Sequence, residues 1–177
     1  GVACDGCRGV GAPRTEEGRP ASVRIGWGRF EVGPGEDMDY VDRWNILEPD
    51  AVAVEFPDGS VTYRELSTLV SRGSGALAGY GAKPGDRVAV WVENDLPSLV
   101  ALWAVPRMGG VIVPISSRLS HPEVMAQLDL VDPSLILGND ALTGRETVGT
   151  ESLFDGRPSM PAPHAPDDRH SILFTSR

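Results

Sequence analysis

The stretch that decides the fold runs from Arg87-Val-Ala-Val-Trp-Val92 through Asn94-Asp95-Leu-Pro97 and Gly109-Gly110 to Val111-Ile-Val-Pro-Ile115. The first segment is apolar on both faces, as a central parallel strand is. Asn94-Asp95 can cap a helix, with Pro97 in its first turn. That helix carries Leu96, Leu99, Val100, Leu102, Trp103 and Met108 and stops at the glycine pair. Val111–Ile115 is then a second buried strand. Strand, helix and strand in this order make a right-handed parallel crossover.

Working outward, the same alternation continues. Ser120 caps a helix through Leu130, with Pro122 and Glu123 near its start. Ser134-Leu-Ile-Leu137 is a further strand. Upstream, Val41, Trp44, Ile46 and Leu47 suggest a short amphipathic helix ending before Pro49. Ala51–Phe56 and Val61–Tyr63 read as a hairpin around Pro57-Asp-Gly59. A helix then runs from about Tyr63 to Tyr80, with Leu66, Leu69, Val70, Gly73, Leu77 and Tyr80 on one face and Gly81 as its stop. Lys83-Pro-Gly-Asp86 is a turn. Residues 138–169, rich in Gly, Pro, Asp and Thr, read as a long surface excursion. Ile172-Leu-Phe174 is a last strand, and Thr175-Ser176 begin a hydroxyl-rich loop. The expected class is α/β: a doubly wound, mainly parallel sheet with flanking helices.

Residues 1–37 differ in texture, with many glycines and scattered arginines. Val23–Val32 alternates weakly, as a pairing strand would, but the segment reads as a leader, disordered or outside the native start, before a domain over 38–177. Cys4 and Cys7 have the spacing of half a zinc site or a redox pair. The other half is absent and no helix follows, so neither role is assigned.

A chain of 177 residues with 41% hydrophobic content supports one sizeable core. The net charge of −9 argues against nucleic acid and anionic membranes as partners. No run approaches the ~20 apolar residues of a transmembrane helix, and no signal peptide is visible. The expected location is cytoplasmic. Among 16 basic residues only Lys83 is lysine.

Several segments in register resemble one family. Val61-Thr-Tyr-Arg-Glu-Leu66 is similar to the (T/S)-Y-x-E-L segment of adenylate-forming enzymes, the AMP-dependent acyl-CoA synthetase and ligase superfamily. Lys83–Val90, Asn94, Ala101-Leu-Trp-Ala104 and Met108–Ile115 resemble the turn, strand, helix and G-x-x-x-V-P strand that follow there. Arg118-Leu119, Glu123, Leu128 and Pro133–Leu137 continue the likeness. Ile172–Ser176 resembles the entry to the T-S-G-T-T-G-x-P-K phosphate loop. The stretch Arg107–Leu119 is close to succinylbenzoate–CoA and fatty acid–CoA ligases.

The resemblance implies the N-terminal part of an ATP-dependent carboxylate–CoA ligase. Its substrates would be a small carboxylic acid, ATP with Mg2+, and coenzyme A. An acyl adenylate forms first and a thioester second. Thr175 and Ser176 would open the phosphate-binding loop, while Arg177 stands where the family has glycine. The loop lysine and the later motifs are missing, so no catalytic residue is assigned and the polypeptide is expected to be inactive alone. A non-catalytic binding or interaction module built on the same fold is the competing reading, a diverged pseudo-ligase the minor one. Elsewhere, His164, His170, Asp167 and Asp168 read as a solvated turn rather than a metal site. Trp44, Trp91 and Trp103 read as packing. Ser116-Ser117 and Arg118 follow a strand C-terminus, where ligand sites gather, but capping hydroxyls are the simpler reading.

Overall fold

The computed structural model describes residues 39–57, 59–138, 145–163 and 168–174, with the backbone of two short strands nearer the N-terminus. The chain divides into two compact units, Gly1–Asp37 and Met38–Arg177. In the first, β1 (Val23–Ile25) and β2 (Gly28–Phe30) pair antiparallel, where the sequence alternates weakly. Cys4 and Cys7 lie outside the described residues.

The second unit starts with α1 (Tyr40–Leu47), then the antiparallel pair β3 (Val52–Phe56) and β4 (Gly59–Thr62). α2 (Tyr63–Gly79) follows without a linker, because Thr62 is both the end of β4 and the helix N-cap. Its hydroxyl accepts from the Glu65 N–H at 3.3 Å, and the Glu65 carboxylate accepts from the Thr62 N–H at 2.8 Å. This reciprocal box satisfies two backbone donors that the first helical turn leaves open. At the other end Gly81 adopts φ 89°, and Ala82 N–H reaches the Leu77 carbonyl at 3.1 Å. That wrap closes the helix and needs a residue that tolerates left-handed backbone. α3 (Leu96–Arg107) closes the same way through Gly109, φ 82°, with Gly110 N–H on the Val105 carbonyl at 3.0 Å.

β5 (Arg87–Val92) is the centre of a parallel sheet ordered β6-β5-β7, with β6 (Val111–Ser116) and β7 (Leu135–Leu137) on either side. Arg87 pairs with Val111 and Val92 with Ser116, and Val88 with Leu135. α4 (His121–Val131) carries the chain from β6 to β7. Because β-strand side chains alternate, β5 feeds two cores. Val88 and Val90 join α2 and α3 through Val70, Leu77, Val100 and Val105. Ala89 and Trp91 join α4 through Val124, Leu128 and Val131. The helices thus cover both faces, as expected of a doubly wound sheet.

The excursion after β7 is not confined to the surface. A 3-10 helix, Thr150–Asp155, buries Leu153 completely in the α2–α3 core. Ser159 N–H bonds the Ser71 carbonyl at 3.1 Å, and Ala162 N–H the Arg107 carbonyl at 2.8 Å. The polar, turn-rich composition hid this strap. It is admitted by small residues on α2: a Cβ on Gly75 would lie 1.8 Å from the Arg157 carbonyl oxygen. The last strand also differs from expectation. Ser171 makes one parallel bridge to Ile112, and Ile172–Phe174 are not in a ladder. Leu173 is 69% exposed there, while Ile172 and Phe174 pack on the α4 core.

Arg107, buried at the end of α3, ties α1 down by ion pairs to Asp39 at 2.8 Å and Asp42 at 2.6 Å. Asp42 also accepts from the Ser67 hydroxyl at 2.6 Å. Beside it Tyr40 stacks on Trp103 (6.0 Å between centroids) and Trp44 on Tyr63 (5.7 Å). Burial, and then the Tyr40 hydroxyl, push the Tyr63 phenol pKa up. Trp44 and Trp103 are therefore packing residues, as Trp91 is in the other core. Tyr80, read as part of the buried face of α2, is its exposed C-cap instead.

Candidate functional site at the C-terminal end of the sheet

In a doubly wound sheet, loops that leave the strand C-termini in opposite directions open a crevice. Here β5 leads through α3 to β6 on one side, and β6 leads through α4 to β7 on the other. The switch point therefore falls between β5 and β7. A cleft of about 460 Å3 opens there, lined by residues that include Trp91, Glu93, Asp95, Ser98, Gly138 and Glu151.

Local geometry fixes much of this lining. Asp95, the α3 N-cap, accepts from the Ser98 N–H at 2.9 Å. The Ser98 hydroxyl in turn accepts from the Glu93 N–H at 3.0 Å. Gly138, at φ 152°, lies against Trp91: a Cβ there would come within 2.7 Å of the Trp91 Cβ. Among the described residues, three carboxylates (Glu93, Asp95, Glu151) and no basic side chain line the cleft. Like charge makes this a poor seat for a polyphosphate.

The opposite edge of the sheet has different chemistry. The chain arrives beside β6, with Ile112 N–H on the His170 carbonyl and Ile172 N–H on the Ile112 carbonyl, both at 2.9 Å. This segment runs parallel to β6 and so heads toward the end that carries Ser116. There the Ser116 hydroxyl accepts from the Arg118 N–H at 3.3 Å, and the Leu119 N–H reaches the Ser116 carbonyl at 3.2 Å. The Ser116 hydroxyl thus holds a turn, while Ser117 and Arg118 stay exposed on it. α4 begins at once. Glu123 accepts from the Ser120 hydroxyl at 2.6 Å and from its N–H at 2.8 Å. These two bonds, the hydroxyl first, hold the Glu123 carboxyl pKa below its ordinary value.

Thr175 and Ser176, the residues expected to open a phosphate loop, lie outside the described residues, as do His164 and Asp167. Phe174 is the last described residue before them. Among the described residues, no group of three His, Cys, Asp or Glu is disposed to hold a metal. Lys83 lies in the turn before β5, at the N-terminal end of the sheet. Sequence reading found Asp95 as a cap and Ser116–Arg118 as a loop at the right end. It missed Gly138, Thr147, Thr150 and Glu151, since nothing local announces that the strap folds back onto β5.

Comparison with known proteins agrees with this architecture. The family model described as AMP-binding enzyme matches residues 41–176. Phosphinothricin tripeptide synthetase PhsC of Streptomyces viridochromogenes is 34% identical over 141 residues, 72% of this chain and 13% of that protein. Indoleacetate–CoA ligase of Aromatoleum aromaticum is 33% identical over 101 residues, 57% of this chain and 20% of that protein. The chain therefore spans a fifth or less of the length of these relatives. The fold matches the Klebsiella oxytoca NpsA N-terminal subdomain, solved in complex with 3-hydroxyanthranilyl-AMSN. The TM-score is 0.70 at 24% identity, over 77% of this chain and 36% of that one. With the matched region running from α1 to the segment beside β6, this chain belongs to the AMP-binding enzyme family, the adenylate-forming enzymes.

Proposed function

We propose that the protein carrying this chain activates a small carboxylic acid with ATP and passes the acyl group to coenzyme A. The carboxylate oxygen attacks the α-phosphorus, the bond to pyrophosphate breaks, and an acyl adenylate forms. The thiolate of coenzyme A then attacks the acyl carbonyl, forming the thioester and releasing AMP. Residues 38–177 make up the AMP-binding unit in this reading, and residues 1–37 stand outside it. Thr175 and Ser176 supply the first hydroxyls of the phosphate loop. Mg2+ is assigned to the nucleotide phosphates, where it offsets their charge.

The observation that carries the reading is the family match, which continues to residue 176 through the segment aligned beside β6. Coenzyme A as acceptor is supported by the relative named indoleacetate–CoA ligase. A second acceptor, a thiol borne on a carrier protein, is favoured by the relative named a tripeptide synthetase, which matches more of the chain. Carboxylate-dependent exchange of pyrophosphate into ATP tests the first step, using the whole protein. Release of free acyl-CoA, against retention of the acyl group on protein, separates the two acceptors. No exchange with any carboxylate would favour a binding module instead. The 177-residue polypeptide by itself is expected to show no exchange, because its one lysine, Lys83, is at the wrong end of the sheet.

A further inference from the structure

The segment that arrives beside β6 shares one bridge with it among the described residues, Ser171 to Ile112. Ile112 makes both bonds of that bridge. Its N–H donates to the His170 carbonyl, and its carbonyl accepts from the Ile172 N–H, each at 2.9 Å. In a parallel strand the backbone groups that face one neighbour recur at every second residue. Position 114 is therefore the next to face the segment, and Pro114 stands there. Proline has no N–H, so the Ile172 carbonyl meets no donor and the ladder cannot advance. Pairing on the inner side continues: Val90 lies opposite Pro114, Trp91 opposite Ile115 and Val92 opposite Ser116. Proline is admitted here because its missing donor points away from β5. Past the bridge, half-buried Ile172 and Phe174 hold the segment by packing on the α4 core, and Leu173 between them is 69% exposed.

We propose that Pro114 is a built-in release point. Ser171–Phe174 leaves β6 and returns as a unit, while β6, β5 and β7 stay paired. Two backbone bonds and two half-buried side chains oppose release. The ladder behind them runs unbroken from Arg87–Val111 to Val92–Ser116, over fully buried Ala89, Val90 and Val113. An edge so lightly held opens far more often than the sheet does. The fold thus carries, along one border of the α4 core, a segment that changes place without unfolding the unit. The inference concerns the backbone at Pro114 and stands whether or not the adenylation reading holds.

The test is hydrogen exchange in the whole protein, resolved to single amides. The Ile112 and Ile172 amides report the outer edge, and the Ala89 and Val90 amides report the sheet. In the wild type the outer pair is expected to exchange about a hundredfold faster, a separation that marks opening below the level of the whole unit. Pro114→Ala returns the donor and should slow exchange at Ile112 and Ile172 about fivefold, the factor that one net backbone hydrogen bond is worth. Replacing proline also loosens the unfolded chain, so the β5 amides should not slow. These opposite responses separate the proposal from a plain change in stability. Pro114→Val, which adds a β-branched side chain to the donor, should slow the outer pair at least as much. If neither variant folds, denaturant dependence in the wild type decides. Exchange at Ile112 and Ile172 should barely respond to low denaturant, because local opening exposes little surface, whereas the β5 pair should respond steeply. Equal exchange of the outer and β5 amides in the wild type overturns the proposal. So does Pro114→Ala that leaves Ile112 and Ile172 unchanged or faster.

Discussion

The two faces of the sheet are built to different depths. On one side β5 meets α2 and α3, and the strap of residues 145–163 covers those helices in turn, burying Leu153 between them. On the other, among the described residues, one helix, α4, covers Ala89, Trp91, Val113 and Ile115, and its border is finished by half-buried Leu119, Met125, Ile172 and Phe174. The deep face holds the unit together. The shallow face borders the edge along which the chain travels to the candidate phosphate loop. Catalytic loops need such a place: rigid enough to aim a strand, with little packed above to obstruct a ligand.

The sharpest way to break this contrast is to cut the same volume from each side. Leu77 and Leu128 are both fully buried. Leu77 belongs to the larger core, which α2, α3, the sheet and Leu153 of the strap build together, and that leaves less room to relax into a cavity. Leu77→Ala should cost about 4 kcal/mol, and Leu128→Ala, on α4 in the smaller core, about 2.5 kcal/mol. Denaturant unfolding of the two variants decides it. Equal losses would mean the faces are equally tight.

A smaller effect probes the strap directly. Gly75→Ala places a methyl where the Arg157 carbonyl sits, and should destabilise by about 2 kcal/mol through overpacking. Hydrogen exchange should show protection lost first in residues 150–159. A uniform loss across the sheet would argue that the strap is not a separate layer.

The smallest effect compares the first turns of α2 and α4. Glu65 is held below the ordinary carboxyl range by bonds from the Thr62 N–H and then its hydroxyl, and Glu123 by those from Ser120. A carboxyl depressed in the fold stabilises it above the unfolded pKa. That contribution is lost as pH falls through the folded value. Glu65→Gln and Glu123→Gln should therefore each lower stability slightly at neutral pH. The gap to wild type should close on acidification below about pH 4.5. A gap that stays constant with pH would show that the boxes act through shape alone.

Legibility followed locality. The strands β5 and β6, the helices between β4 and β7 and their caps could be read because each is announced within a few residues. Asp95, Ser120 with Glu123, and the glycines at 81 and 109 are local signals. The strap was misread because Leu153 lies in a run of turn formers, and its burial depends on Gly73 and Gly75, far away on α2. The final strand was read as Ile172–Phe174, but the chain makes only one bridge there, at Ser171. Its neighbour is chosen by tertiary pairing, which an apolar run does not specify.

By itself, then, the sequence determined the parallel α/β class, the order of its elements and the family, since hydrophobic period and cap chemistry are written in short spans. Only the tertiary structure decided that the acidic cleft and the segment ending at Phe174 lie apart, at β7 and β6 on opposite sides of β5. Strand order arises from crossovers packing on opposite faces. It assembles Asp95, Gly138 and Glu151 from segments that share no local pattern.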